Sequence, residues 1–494
     1  MTAWFLLTTS AGLRERRDVA VNPLPVPCCR LRVVIGLLLL AFGTQAAFAA
    51  EPRVAVWLTD PAGTSRFQVQ PDSPLLTSAA SVATGSIEID PRQTFQTIDG
   101  FGYTLTGGSA QLLQKMSAPA RAAVLRELFD ASSTNIGVSY LRLSVGASDL
   151  NERVFSYDDL PVGATDPELA RFDLGPDRAD VIPVLKEILA IAPPVGIMGS
   201  PWSAPVWMKD NGDTRGGSLK REWYGAYARY LVRYVQAMAA EGIRVAALTV
   251  QNEPLHPGNN PSMFMPATNQ AEFIRAHLGP AFRAAGLKTR IICYDHNADR
   301  PDYPLTVLAD PGAREFVDGS AFHLYAGRIE ALARVREAHP DKNLYFTEQW
   351  IGGPGNLRGD LGWHVENLVI GATRQSCRTV LEWNLASAPD YRPYTDRGGC
   401  DRCLGAITLD GDRVTRNPAY YIIAHAAKFV RPGSVRVPST LPQGLPNVAF
   451  RAPDRRLVLI VLNPKNAPQS LTVRCDGRGF AARLPANAVA TYVW

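Results

Sequence analysis

From about Gln93 to Val430 the chain alternates short apolar runs with longer stretches whose apolar positions recur every three or four residues. The runs end at Phe101, Ser144, Gly199, Val250, Tyr294, His323, Phe346 and Trp383. Helical periodicity covers residues 118–129, 181–192, 222–240, 270–285, 329–338 and 363–374. In 222–240, Trp223, Ala226, Tyr227, Tyr230, Leu231 and Tyr234 fall on one face of a helix. Eight strand-like runs interleaved with helices predict an α/β fold, a (β/α)₈ TIM barrel over 93–430.

Past Phe429 the period drops to two. Residues 434–437, 447–451, 457–462, 470–474 and 488–494 alternate apolar and polar positions between Pro, Gly, Asn and Asp. They predict an antiparallel β-sandwich over 431–494. Residues 53–58 and 66–69 alternate in the same way, so the segment 50–92 is expected to lend strands to that side domain. The side domain would then be built from both ends of the chain. No repeat and no low-complexity tract interrupts this plan.

The first 49 residues follow neither pattern. Arg30 and Arg32 precede the apolar run from Val33 to Phe42, and Ala47-Phe48-Ala49 supplies the small residues of a cleavage site. The run falls short of the ~20 apolar residues a stable membrane anchor needs. This is the signature of an export signal and predicts a secreted or periplasmic protein. Five arginines against two acids in that segment carry +3 of the formal charge of +5. The remainder is too balanced to point to nucleic acid or an anionic surface. Of seven cysteines, Cys28 and Cys29 leave with the signal. Cys293 and Cys377 lie in apolar runs as inert core residues. Cys400-x-x-Cys403 lacks the second pair that a zinc site needs and is expected to close a small local disulfide. No metal and no cofactor is expected.

Polar residues collect where the predicted barrel strands end, which is where barrels place their active sites. Asp149 follows the second strand, Trp202 the third, and Asn252-Glu253 closes the fourth. His323 and Tyr325 end the sixth, Glu348 the seventh and Trp383 the eighth. Two carboxyls flanking one bond are the equipment of a glycosidase. Retention requires them ~5–5.5 Å apart, one attacking and the other trading a proton. Arg142, in Tyr140-Leu141-Arg142-Leu143, is placed to keep Glu348 ionised as nucleophile, with Tyr325 donating a hydrogen bond. Glu253, between neutral Asn252 and Pro254, is placed to hold a proton as acid/base. Asn252 suits the hydroxyl beside the reacting carbon, Trp202 and Trp383 offer flat faces to a pyranose, and Asp149 can accept from remote hydroxyls.

Each of these residues also has an ordinary reading. The tryptophans can be core, His323 a satisfied core histidine, and Arg142 a structural ion-pair partner. Gly107-Gly108-Ser109 lacks the Lys-Ser/Thr of a phosphate loop. Ser144, Ser200 and Ser203 lack a nucleophile elbow. Convergence of six strand ends on one mouth favours the site over the separate ordinary readings.

Five strings then carry a family resemblance. They are Phe95-Gln96-Thr97-Ile98-Asp99-Gly100-Phe101-Gly102, Leu141-Arg142-Leu143-Ser144-Val145-Gly146-Ala147-Ser148-Asp149, Ser200-Pro201-Trp202-Ser203-Ala204-Pro205-Val206-Trp207-Met208-Lys209, Asn252-Glu253-Pro254 and Thr347-Glu348. In this order they resemble glycoside hydrolase family 30, the family of lysosomal glucosylceramidase. The resemblance implies a retaining β-glycosidase with Glu253 as acid/base and Glu348 as nucleophile. It also implies a glucose subsite shaped by Asp149, Trp202, Asn252, His323, Tyr325 and Trp383. The loop from Leu255 to Pro261 is shorter than in animal glucosylceramidases, and the Cys400-x-x-Cys403 loop is unlike theirs. Both look closer to bacterial members, some of which cleave β-1,6-glucan.

The expected substrate is a β-linked glucoside or glucan. Glucosylceramidase-type hydrolysis is the first expectation and β-1,6-glucan cleavage the alternative. A catalytically inactive carbohydrate-binding barrel is the reading of another class.

Overall fold

The computed structural model describes residues 53–76 and 85–494. The expected export signal lies outside the described residues. Eight parallel strands close into a barrel in sequential order: β1 Gly100–Leu105, β2 Tyr140–Val145, β3 Gly196–Pro201, β4 Ala247–Thr249, β5 Arg290–Asn297, β6 Val317–His323, β7 Asn343–Glu348 and β8 Cys377–Asn384. Helices cover the outside, so almost every strand position is buried. Inside, Tyr140, Met198, Ala247, Ile292, Ala321, Tyr345 and Leu381, one each from β2 to β8, form a separate apolar layer.

The long helix Tyr224–Ala240 buries Tyr227, Tyr230, Leu231 and Tyr234 against the barrel, as its period requires. Two expectations need correction. The helix expected over 363–374 begins earlier, at Leu357, and runs on through Val365–Ala372. Asn356 caps it by accepting from the Gly359 amide at 2.9 Å, and Gly359 and Gly362 hide its start from a periodicity reading. The first barrel strand starts at Gly100 instead of ending at Phe101. The residues before it bond to the side domain: the Phe95 amide donates to the Arg436 carbonyl and the Ile98 amide to Ser434, both at 2.8 Å.

The side domain is a sandwich. One sheet runs Val435–Val437, Asn447–Arg451, Leu457–Leu462, Val489–Val493, Arg53–Thr59, Gln68–Pro74. The other is Arg478–Leu484, Gln469–Cys475, Ser86–Ile89. The first and last described strands pair directly, Trp57 opposite Thr491, so the domain is built from both ends of the chain. Arg478–Leu484 and Ser86–Ile89 were not evident from alternation. Ser86–Ile89 pairs parallel to Gln469–Cys475, an exception to the antiparallel pattern expected. Among the described residues no helix is long and apolar enough to cross a membrane.

Candidate active site

Side chains on a strand face the same way every second residue. Two residues above the apolar inner layer, the barrel interior therefore holds Arg142, Ser200, Thr249, His323, Thr347 and Trp383. On β5 the alternation slips. The pairing of β5 with β6 shifts register between Tyr294 and His296, and Tyr294 and Asp295 have φ of 73° and 76°. Such a bulge re-aims the next side chain. Asp295, instead of Tyr294, points inward.

Asp295 is fully buried and accepts five hydrogen bonds from five strands. One oxygen takes Arg142 Nη2 at 2.8 Å, Ser200 Oγ at 2.5 Å and Thr249 Oγ1 at 2.7 Å. The other takes Thr347 Oγ1 at 2.6 Å and faces His323 Nε2 at 3.1 Å. Burial alone would push its carboxyl up, but Arg142 and His323 hold it far below the carboxylate range. In return, burial's downward push on His323 is outweighed by Glu348, Asp295 and Glu253, and its pKa rises to about 9.

Arg142 and His323 carry this order to the two glutamates. Arg142 Nη1 donates to Glu348 Oε2 at 2.5 Å, and Tyr325 Oη donates to Glu348 Oε1 at 2.8 Å. Arg142 Nη2 also donates to Asn252 Oδ1 at 2.6 Å, and its guanidinium lies 4.7 Å from the Trp202 ring centre. His323 Nδ1 meets Glu253 Oε1 at 3.2 Å, and Asn259 Nδ2 donates to Glu253 Oε2 at 3.4 Å. One oxygen of Glu253 and one of Glu348 lie within 4.8 Å of each other. Burial pushes Glu253 up, yet the hydrogen bond and charge of His323, with His296 behind it, hold it below the usual range. Burial also pushes Glu348 up, and with the facing charge of Glu253 it prevails over His323 and Arg142.

A cation between Glu253, His323 and Glu348 would have few free ligand atoms. Both Glu348 oxygens already take donors, and both His323 nitrogens face carboxylates. The guanidinium of Arg142 supplies the positive charge there. The set fits a carboxyl pair better than a metal cage.

The pair opens into a cavity of about 370 Å³. Of the expected site residues, Asp149, Glu253, Tyr325, Glu348 and Trp383 line it. Trp202 lies behind, stacked on Trp383 with ring centres 5.4 Å apart. Arg142, Asn252 and His323 also sit behind the wall. For His323 this differs from the expected contact with sugar, because its two ring nitrogens are spent on Asp295 and Glu253. Asp149 is held by its backbone carbonyl, which accepts from the Thr395 amide at 2.9 Å. Burial, with Glu348 and Glu253 nearby, raises its carboxyl to about 8. Gly107 and Gly108 are explained here: a Cβ on them would meet Asn151 Nδ2 at 1.9 Å and the Leu150 carbonyl oxygen at 2.6 Å. They let the helix Gly107–Lys115 press against the loop that carries Asp149.

His256, Asn259, His296, Asn297 and Trp350 also line the cavity; His256 and Asn259 belong to the loop from Leu255 to Pro261 noted in the sequence, and the other three were not singled out. Nor was Asp295. Cys400 and Cys403 form a disulfide in the cavity wall, where Cys403 packs with Trp202 and Trp383. Cys293, Cys377 and Cys475 are buried free thiols. A larger hollow of about 680 Å³ lies between the loops after β2 and β3. Its acids Asp159 and Asp210 are exposed, with the Ser156 and Ser218 amides bonded to them, and do not form a facing pair.

The TIM-barrel domain of glycosyl hydrolase family 30 matches residues 98–430, and its beta sandwich domain matches residues 433–492. The chain belongs to glycosyl hydrolase family 30. Its relatives include the endo-1,6-beta-D-glucanase of Neurospora crassa, 32% identical over 83% of this chain and 87% of that protein. The lysosomal acid glucosylceramidase of Mus musculus is 29% identical over 83% of each. The solved structure of the endo-beta1,6-glucanase BT3312 superposes with a TM-score of 0.82 at 32% identity, covering 90% of this chain and 99% of that one. This family 30 member is a glycoside hydrolase. The glucanase relatives, at 31% and 32% identity, are more similar to this chain than that glucosylceramidase at 29%.

Proposed function

We propose that this family 30 enzyme is an exported, retaining endo-β-1,6-glucanase in which Glu348 attacks and Glu253 is the acid/base. One observation carries the retaining chemistry: the glutamate oxygens approach within 4.8 Å, too close for the water that an inverting pair must admit across ~6.5–9.5 Å. Geometry supports attack by Glu348, whose carboxylate is oriented by Arg142 and Tyr325. The charge of His323 lowers Glu253 and the facing charge of Glu253 raises Glu348, so the two carboxyls titrate as a pair, and protonation of the departing oxygen needs their shared proton on Glu253. Glu348 then displaces the leaving sugar from the anomeric carbon as Glu253 protonates the departing oxygen. In the second step Glu253 takes a proton from water as the water oxygen bonds the anomeric carbon and Glu348 departs, releasing an oligosaccharide whose reducing end keeps the β configuration. Trp383 serves a ring face and Asp149 the remote hydroxyls, while Asn252, behind the wall, holds the Arg142 guanidinium.

The β-1,6-glucan assignment is supported by the endo-1,6-glucanase relatives at 31% and 32% identity and the BT3312 structure. It displaces the expectation of glucosylceramide as the first substrate. Export rests on the pattern of residues 1–49. The purified enzyme should shorten β-1,6-glucan to oligosaccharides and leave glucosylceramide intact; the reverse result overturns the reading. Glu253→Gln should lower kcat on glucan by about 10²–10⁴-fold while sparing the first step on aryl glucosides with good leaving groups. Glu348→Gln should stop both. Azide should rescue Glu253→Ala to a β-glycosyl azide; an α-azide would exclude retention.

A further inference from the structure

We infer that His296, with His256 and Asn259 beside it, forms the subsite for the leaving-group sugar, a glucosyl unit whose hydroxyls they hydrogen-bond. This deepens the proposed β-1,6-glucanase reading and rests on it. The placement comes from Glu253. The acid/base must face the departing oxygen, so groups around Glu253 on the cavity side face the leaving sugar. His296 is one of them: its Nε2 lies 3.8 Å from Glu253 Oε1, and the side chain lines the cavity. Its Nδ1 is buried and finds no hydrogen-bond partner among the described residues. A buried polar atom without a partner is costly, so no hydrogen bond on that side holds the ring against turning toward a sugar hydroxyl. Burial also drives the His296 pKa down to about 4, so near neutrality the ring offers one N–H and one lone pair. A sugar hydroxyl, which both donates and accepts, matches the cavity-side nitrogen in either tautomer.

His256 and Asn259 come from the loop after Glu253, and that loop is anchored at its far end. Asn260 Nδ2 donates to the Asp396 carbonyl at 3.0 Å, and its Oδ1 accepts from Thr214 Oγ1 at 2.7 Å. Lys209 Nζ donates to the Ser262 carbonyl at 2.8 Å. Pinned to the loops after β8 and β3, the segment presents its polar groups to the cavity without ordering cost when substrate arrives. A lipid leaving group would leave these polar groups unmatched.

The test compares two substrates that differ only on the leaving side, a β-1,6-linked gluco-oligosaccharide and an aryl β-glucoside. His296→Ala should lose about tenfold more kcat/KM on the oligosaccharide than on the aryl glucoside. His256→Ala, at an exposed position, should lose about threefold more and fold normally. Equal losses on both substrates overturn the subsite. A wild-type enzyme that turns over the aryl glucoside but no β-1,6-linked sugar overturns the glucanase reading itself, and the sugar assigned here with it.

Discussion

Asp295 ties the site together through charge. Its single negative charge, fully buried, holds one cation that orients Glu348 and another that faces Glu253. Asp295→Asn keeps the shape but removes the charge, leaving Arg142 with less compensation. It should lower kcat by about a hundredfold through misplacement of both glutamates. Breaking a buried ion pair should also cost about 3–5 kcal/mol of stability, read from chemical denaturation. His323→Gln tests the second arm. Without the imidazolium, Glu253 loses the strongest influence lowering its pKa, so its carboxyl stays protonated to higher pH. The alkaline limb of the kcat/KM profile, where the glutamate pair loses its shared proton, should therefore move to higher pH. A limb that stays in place would show that His323 only positions. The glutamates were legible because each stands where an apolar run ends. Asp295 was not, because a strict alternation through Tyr294 aims it outward and only the bulge turns it in.

Among the elements, the runs and helices emerged close to their bounds wherever period and caps agreed, as in Ala118–Phe129 and Leu457–Leu462. They drifted where other contacts took over. Residues 95–98 have the apolar look of a barrel strand but find their hydrogen bonds in the side domain. The strand Arg478–Leu484 hides behind Gly479, Ala481 and Ala482, whose small side chains blur the alternation. The Cys400–Cys403 loop adds a functional case. Its disulfide lines the cavity and backs onto both tryptophans of the predicted glucose subsite. Such a short ring constrains the unfolded chain by only about 2 kcal/mol. Reduction, or the paired change of Cys400 and Cys403 to Ser, should therefore raise KM for aryl glucosides several-fold with a small fall in Tm. A large fall in Tm with unchanged KM would assign the bridge to stability alone.

Across the whole molecule, barrel and sandwich meet at His425. This residue lies in the helix Pro418–Ala427 and is buried between Thr491 Oγ1 at 2.9 Å and Thr59 Oγ1 at 2.8 Å. Those threonines belong to the strands from opposite ends of the chain. Burial pushes its pKa down to about 3, whereas the unfolded chain takes up a proton near 6.5. The unfolded state thus binds the proton first, and the stability present above pH 6.5 is lost as pH falls toward 3. His425→Gln does not titrate, and should flatten the decline of Tm between pH 6.5 and 4 compared with the wild type. The sequence by itself determined the eight-strand order, the sandwich and the two glutamates, because burial periodicity and strand-end chemistry are local properties. It left the neighbours of those glutamates undetermined. Glu253, flanked in sequence by Asn252 and Pro254, faces two histidines in space, and Asp295 bonds to Arg142, 153 positions away. Only closure of the barrel brings those groups together, so only the tertiary structure decided how the glutamates are held.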